Sequence, residues 1–222
     1  MSAQPLNMET VAWRLAQDIP SGSYVNLGIG LPTMVAKHLQ GAICHSENGV
    51  LGIAPLSGEA DEDLINASKE PAGLAAGGAF FDHAMSFGMI RAGYIDVTVM
   101  GAFQVASSGD LANWSTGEAL PAVGGAMDLA IGARQVFVIM RQLTREGVSK
   151  LVERCSYPLT AAGVVERVYT DLAVLRVADA GFIAEELAPG VTPAQLQAAT
   201  EAPLTIPDAI PTYRASIVEA PA

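Results

Sequence analysis

Apolar and polar positions along the chain divide it into short strands and helices separated by glycine-rich turns. Tyr24-Val25-Asn26-Leu27 reads as a first strand, Ala42-Ile43-Cys44-His45 as a second, Ile95 to Met100 as a third and Gln135 to Met140 as a fourth. Helical spacing lies between them. Asn7 can cap a helix with Val11, Ala12 and Leu15 on one face and Gly22 beyond its end. Pro32 or Thr33 starts another that runs through Leu39, and Asp82 caps a third through Ala92, stopped by Gly93. Ala126 to Ala133 is a fourth. Val164 to Leu187 is β-rich, and Thr192-Pro193-Ala194-Gln195 is a capping box that opens a last helix to about Thr200. Residues 54–78 carry no such period and are expected to be irregular. Ser107 to Gly125 reads as a long functional loop.

Strands alternating with helical segments predict an α/β fold whose open, largely parallel sheet is flanked by helices. The length suits one domain over 1–206, with a loose Pro- and Ala-rich tail over 207–222. Parallel sheets bind ligands beyond the carboxyl ends of their strands. Two glycine turns would lie on that edge. Gly28-Ile29-Gly30 follows the first strand, but it is not a dinucleotide fingerprint, because the third glycine falls at Thr33 and Pro32 crowds the turn. Glu47-Asn48-Gly49 follows the second. There a carboxylate stands at a strand end, and the Asn-Gly pair readily takes positive φ and leaves backbone amides bare. The same pair is the usual hairpin signal, in which Glu47 would simply face solvent.

Composition narrows the function. Half the residues are hydrophobic and 16% are charged, as in a globular protein with much buried surface. No apolar run reaches the ~18 residues that span a bilayer. The first residues lack the pattern of a secretory leader, so a cytoplasmic location and no membrane partner are expected. A net charge of −11 argues against nucleic acid. Cys44 and Cys155 make no disulfide framework and read as small buried hydrophobes. The acidic run Glu59, Asp61, Glu62, Asp63 fails the EF-hand spacing, since Asn66 stands where the loop glycine belongs, and no metal site is expected. His45 and His83 have no visible catalytic partner and read as structural.

The Glu47 turn belongs to a larger pattern. Glu47-Asn48-Gly49-Val50-Leu51-Gly52 fits the E-x-G-x-x-G motif around the catalytic glutamate of family I CoA-transferases, in their B (β) subunit. Asn26 to Pro32, Asp63 to Ala67, Gly101 to Val105, Gly109 to Trp114, Gly124 to Leu129, Cys155 to Thr160 and Glu186 to Val191 resemble the same family in the same order, over roughly residues 8–206. The resemblance implies that family's open α/β, sugar-phosphate-isomerase-like fold. It implies Glu47 as nucleophile, carrying CoA as a γ-glutamyl thioester, and the Gly125 amide, beside Ala126, serving that thioester. Asn26 and Asn113 would line the site, Gly28, Gly30, Asn48 and Gly49 would frame it, and Lys69 would approach the CoA phosphates. CoA enters as substrate, and no tightly bound cofactor is implied. The partner implied is the CoA-transferase A (α) subunit, in an assembly of two A and two B chains.

The wording of Gly78 to Phe81, Gly101 to Phe103 and Pro121 to Gly125 leans towards family members that pass CoA from succinyl-CoA to 3-oxoadipate in aromatic-compound breakdown. An acetoacetate acceptor is the alternative. A non-catalytic ligand-sensing domain on the same sort of fold would have no use for Glu47. Ala54, Ser68 and Met85 depart from the family's usual residues. The chemistry suits a glutamate: with an ordinary pKa of ~4.3 it is ionised at neutral pH and needs no general base. Because a carboxylate is a weak nucleophile, rate must come from positioning and from N–H donors aimed at the tetrahedral oxyanion.

Overall fold

A computed structural model describes residues 5–117 and 122–213. Pro121 of the Pro121–Gly125 block, part of the Ser107–Gly125 loop and the end of the tail lie outside them. Asn7 Oδ1 accepts the Thr10 N–H at 2.7 Å and starts helix α1, Met8–Ala16. Strand β1 is Tyr24–Leu27, and a 3-10 helix, Leu31–His38, follows the glycine turn. Strands β2 (Ile43–Ser46), β3 (Val50–Ala54) and β4 (Gly73–Phe80) precede α2, His83–Arg91, whose cap Asp82 accepts the Met85 N–H. β5 is Val97–Met100; β6 (Gln104–Ala106) and β7 (Leu111–Ala112) are short. Helix α3, Ala126–Gly132, leads into β8, Gln135–Ile139, and then β9, Leu151–Val152. The last third contains β10 (Val165–Tyr169), β11 (Ala173–Ala178), β12 (Gly181–Leu187), α4 (Pro193–Ala198) and β13 (Leu204–Thr205).

Ten strands form one open sheet in the order β13-β12-β11-β10-β8-β5-β1-β2-β3-β4. Its centre, β10-β8-β5-β1-β2, is parallel throughout. Hairpins extend it antiparallel on both sides, through β3 and β4 at one edge and β11 and β12 at the other. Strands β7, β6 and β9 make a second, small sheet. In β8, Val136 and Val138 join one buried cluster while Phe137 and Ile139 join the other, so this central strand is covered on both faces. Helix α1 and the 3-10 helix contribute Val11, Leu15 and Val35 to one layer. Helices α2, α3 and α4 contribute Ile90, Leu129 and Leu196 to the other.

Two expectations are corrected. Residues 54–78 are not irregular throughout, because Gly73 onwards forms β4. Its Gly- and Ala-rich sequence has no alternation of its own, and the strand state comes from pairing with β3, Val50 with Phe80 and Ala54 with Gly73. The tail is not loose from Pro207: the Leu187 N–H donates to Pro211 O, the Tyr213 N–H donates back to Leu187 O, and the Tyr213 ring is buried.

Candidate active site

Because β1, β2, β5 and β8 are parallel, the turns after them collect at one edge of the sheet. There a cavity of about 520 Å³ is floored by Met100, Leu129 and Ile139 and reached by Glu47. Glu47 sits in the β2–β3 turn, so the hairpin expected from Asn48-Gly49 is present, and Glu47 within it lines the cavity instead of simply facing solvent. Gly49 takes φ +110°, and an added Cβ would run into Phe81 O, which fixes this residue as glycine.

Glu47 is half-buried, and its carboxylate lies against Gly125. A Cβ at Gly125 would collide with Glu47 Oε2 and come within 2.8 Å of the Phe87 ring. Burial pushes the Glu47 carboxyl above its ordinary value; His83 pulls it back, and Asp128 adds to the rise. A second cavity of about 420 Å³, lined by His83, Phe87 and Arg91, meets the first at Glu47, Gly124 and Gly125. Glu47 therefore stands in the wall between two cavities, open to a reactant from either side.

Two asparagines line the larger cavity with opposite amide ends. Asn26 Nδ2 donates to the backbone carbonyl of His45 at 3.2 Å and lies 3.1 Å from His45 Nδ1. The carbonyl is an obligate acceptor, so Nδ2 must be the donor end. His45 Nδ1 then accepts, and its Nε2–H donates to Ser86 Oγ at 3.0 Å. Asn26 is left to offer Oδ1 to the cavity. Burial lowers the His45 pKa to about 4, which keeps the ring neutral. At Asn113 the Thr160 hydroxyl donates to Oδ1 at 2.6 Å, leaving Nδ2 for the cavity.

Of the residues singled out in the sequence, Asn26, Gly28, Glu47, Asn113, Gly125 and Ala126 line this cavity. Gly30, at φ +83°, does not; it heads the 3-10 helix, where its carbonyl accepts from Thr33. Asn48 is exposed and donates through Nδ2 to Ile65 O at 2.9 Å, tethering the loop that brings Ala67 to the cavity. Lys69 lies on that loop, exposed, with φ +64°, and is not among the lining residues. Lys150 and Phe87 were not legible as site residues, since neither sits in a motif with a chemical signature. Burial holds both cysteine thiols up at about 11, so neither competes with Glu47 as a nucleophile at neutral pH. Among the described residues no group of three or more His, Cys, Asp or Glu is placed to hold a metal ion, and no helix is long and apolar enough to cross a membrane.

Residues 8–199 match the coenzyme A transferase family. The B subunit of the 3-oxoadipate CoA-transferase of Pseudomonas putida is 54% identical over 205 residues, 90% of this chain and 96% of that one. The B subunit of the succinyl-CoA:3-ketoacid coenzyme A transferase of Helicobacter pylori is 46% identical over 199 residues, 87% of this chain and 96% of that one. The crystal structure of an acyl-CoA transferase apoenzyme from Escherichia coli O157:H7 has the same fold, with a TM-score of 0.77 at 16% identity over 96% of this chain. This chain spans only 44% of that longer polypeptide.

Proposed function

Since the chain belongs to the coenzyme A transferase family, we propose that it is the B (β) component of a two-component enzyme that moves CoA from succinyl-CoA to a 3-oxo acid through a thioester on Glu47. The observation that carries this reading is the Glu47 carboxylate, held against Gly125 in the wall between two cavities.

A Glu47 oxygen attacks the thioester carbonyl of succinyl-CoA. The tetrahedral oxyanion collapses, expelling CoA thiolate and leaving a mixed glutamyl–succinyl anhydride. The thiolate attacks the glutamyl carbonyl, succinate leaves as carboxylate, and CoA remains on Glu47 as a γ-glutamyl thioester. The acceptor's carboxylate attacks that carbonyl and expels CoA thiolate. The thiolate then attacks the acyl carbonyl of the new anhydride, which releases 3-oxoacyl-CoA and restores the Glu47 carboxylate. No proton moves in any step, consistent with a site whose one buried histidine is spent on Asn26 and Ser86. Partial desolvation of Glu47 favours the attack, because the carboxylate loses part of the water shell that would quench it. The Gly125 backbone and the Nδ2 end of Asn113 are the groups that stabilise oxyanions.

The Pseudomonas putida relative, named for 3-oxoadipate, supports that acceptor over acetoacetate, and the relatives' naming as one half of a two-chain enzyme supports an α-chain partner, with two α and two β chains as the working assembly. Trapping tests the mechanism. With the α chain and succinyl-CoA but no acceptor acid, the enzyme should accumulate CoA on Glu47, seen by peptide mass and lost on borohydride reduction. Glu47→Gln keeps size and loses the anionic nucleophile, so turnover should fall to background. Gly125→Ala should cost about 100-fold in kcat by pushing the carboxylate aside. A CoA adduct on any other residue, or sustained turnover by Glu47→Gln that has not deamidated, overturns the mechanism.

A further inference from the structure

Lys150 lines the same cavity as Glu47. Its backbone is clamped on both sides: the N–H donates to Gln142 O at 3.1 Å, and the carbonyl accepts from the Val105 N–H at 3.0 Å. It directly precedes β9, whose Leu151 and Val152 are buried, so the backbone that carries the ammonium is fixed beside the cavity. Among the described residues it has no ion-pair partner. Asp171 attracts it from beyond ion-pair distance, and that carboxylate is already occupied by the Gln142 N–H at 2.8 Å and by Arg141 at 3.5 Å. Burial lowers the Lys150 pKa to about 8, so near neutral pH the ammonium is still charged but short of hydration.

The other cations near Glu47 are committed or absent from the cavity. Arg91 belongs to the second cavity, where it pairs with Asp128 at 2.7 Å and stacks over Phe87. Lys69 does not line the cavity. No other lysine or arginine lines it among the described residues. A partly desolvated ammonium without an ion-pair partner is costly unless an anion meets it.

Resting on the CoA-transfer reading above, we propose that Lys150 is the specificity residue that receives the distal carboxylate of dicarboxylic acyl groups, the end of succinyl or of a 3-oxo diacid remote from the reacting carbonyl. Glu47 then engages one end of the substrate and Lys150 the other. This selects short diacids over acids that end in a methyl group.

The test uses the complete enzyme, assembled with its α chain. Lys150→Met keeps the stem and removes the charge; Lys150→Arg restores a charge. For Lys150→Met the KM for succinate and for 3-oxoadipate should rise at least about tenfold, with the KM for acetoacetate within about twofold of the parent. Lys150→Arg should recover a good part of the difference. The melting temperature of Lys150→Met should not fall, since an unpaired buried charge has been removed. An equal loss on diacids and acetoacetate, or unchanged KM for the diacids, overturns the assignment. A parent enzyme that forms no thioester on Glu47 would instead overturn the CoA-transfer mechanism, so the two failures are distinguishable.

Discussion

His45 shows how a residue outside the reacting centre shapes it. Its ring is buried, stacked against Phe81 at 6.1 Å and hydrogen-bonded through both nitrogens, so protonation would break the contact with Asn26 and charge a desolvated ring. The sign follows from the lowered pKa of about 4 against an ordinary 6.5. Between those values the unfolded chain binds the proton and the folded chain does not, so stability rises with pH. The contribution is complete above about pH 6.5 and is lost as pH falls towards 4, by roughly 3 kcal/mol in all. Urea unfolding at a series of pH values should show this slope in the parent protein and a flatter one in His45→Gln. Parallel slopes would mean that His45 already titrates normally in the folded state. Glu47 is shifted in the opposite sense for its type. Its carboxyl is pushed up by burial, which makes its ionised form costlier than that of an exposed glutamate, as suits the nucleophile proposed for it.

At the scale of elements, the β2–β3 hairpin carries the proposed nucleophile, and its turn tolerates little change. Gly49→Ala places a side chain at φ +110° and drives it into Phe81 O, so the turn must move and Glu47 moves with it. Expected are a stability loss of about 1–3 kcal/mol or more and a fall in kcat of about 100-fold. Gly77 is the control. It also has positive φ, +84°, but no neighbour within 4 Å of an added Cβ, and it lies in β4 away from the cavity. Gly77→Ala should cost only about 1 kcal/mol and leave turnover unchanged. Thermal melting and steady-state kinetics on the pair separate strain alone from strain that displaces Glu47. Across the molecule from this hairpin, α1 is held by another device: Arg14 makes a bidentate contact with Glu186 on β12, at 2.8 and 2.6 Å, and binds Asp18 at 2.7 Å. That cluster ties the N-terminal helix to the far edge of the sheet without touching the cavity.

The whole molecule leaves several large apolar side chains in water. Ile29 in the first glycine turn is 68% exposed, Phe80 at the end of the edge strand 65%, and Ile131 on α3 67%. Ile29 lines the cavity itself, and Phe80 lies two residues before the cap of α2, which carries the second cavity's lining. Scattered exposed hydrophobes are ordinary on a protein surface, but Ile29 opens directly on the cavity where the proposed thioester would have to be kept from water. The α chain is the expected cover. The isolated β chain should therefore show no CoA transfer, and adding the α chain should restore it together with a shift in sedimentation to the hetero-oligomer. Full turnover by the isolated chain would remove the need for a partner.

Some of this was legible in the order of residues alone. Asn7, Asp82 and Thr192 cap helices by bonds that span three residues, and Tyr24–Leu27 shows its strand by composition over four. Such local devices carry the same meaning wherever the chain places them. The Glu47 turn was legible for the same reason, as a carboxylate set on a short motif. Strand β4 was hidden, because glycine and alanine have no strand preference to display and only β3 makes Gly73–Phe80 extended. The anchoring of Tyr213 was hidden too, since its partner Leu187 belongs to a different element. Lys150 is the clearest case. A single lysine before two apolar residues carries no signal, and only the pairing of β6 with β9, together with the backbone bonds of Lys150 to Gln142 and Val105, brings it to the cavity that contains Glu47 and Gly125. The sequence by itself determined which residues turn, cap and alternate, since those are interactions within a few residues. Tertiary structure alone decided which charges meet a common cavity and which go unpaired, because burial and distance between remote segments are properties of the packed sheet.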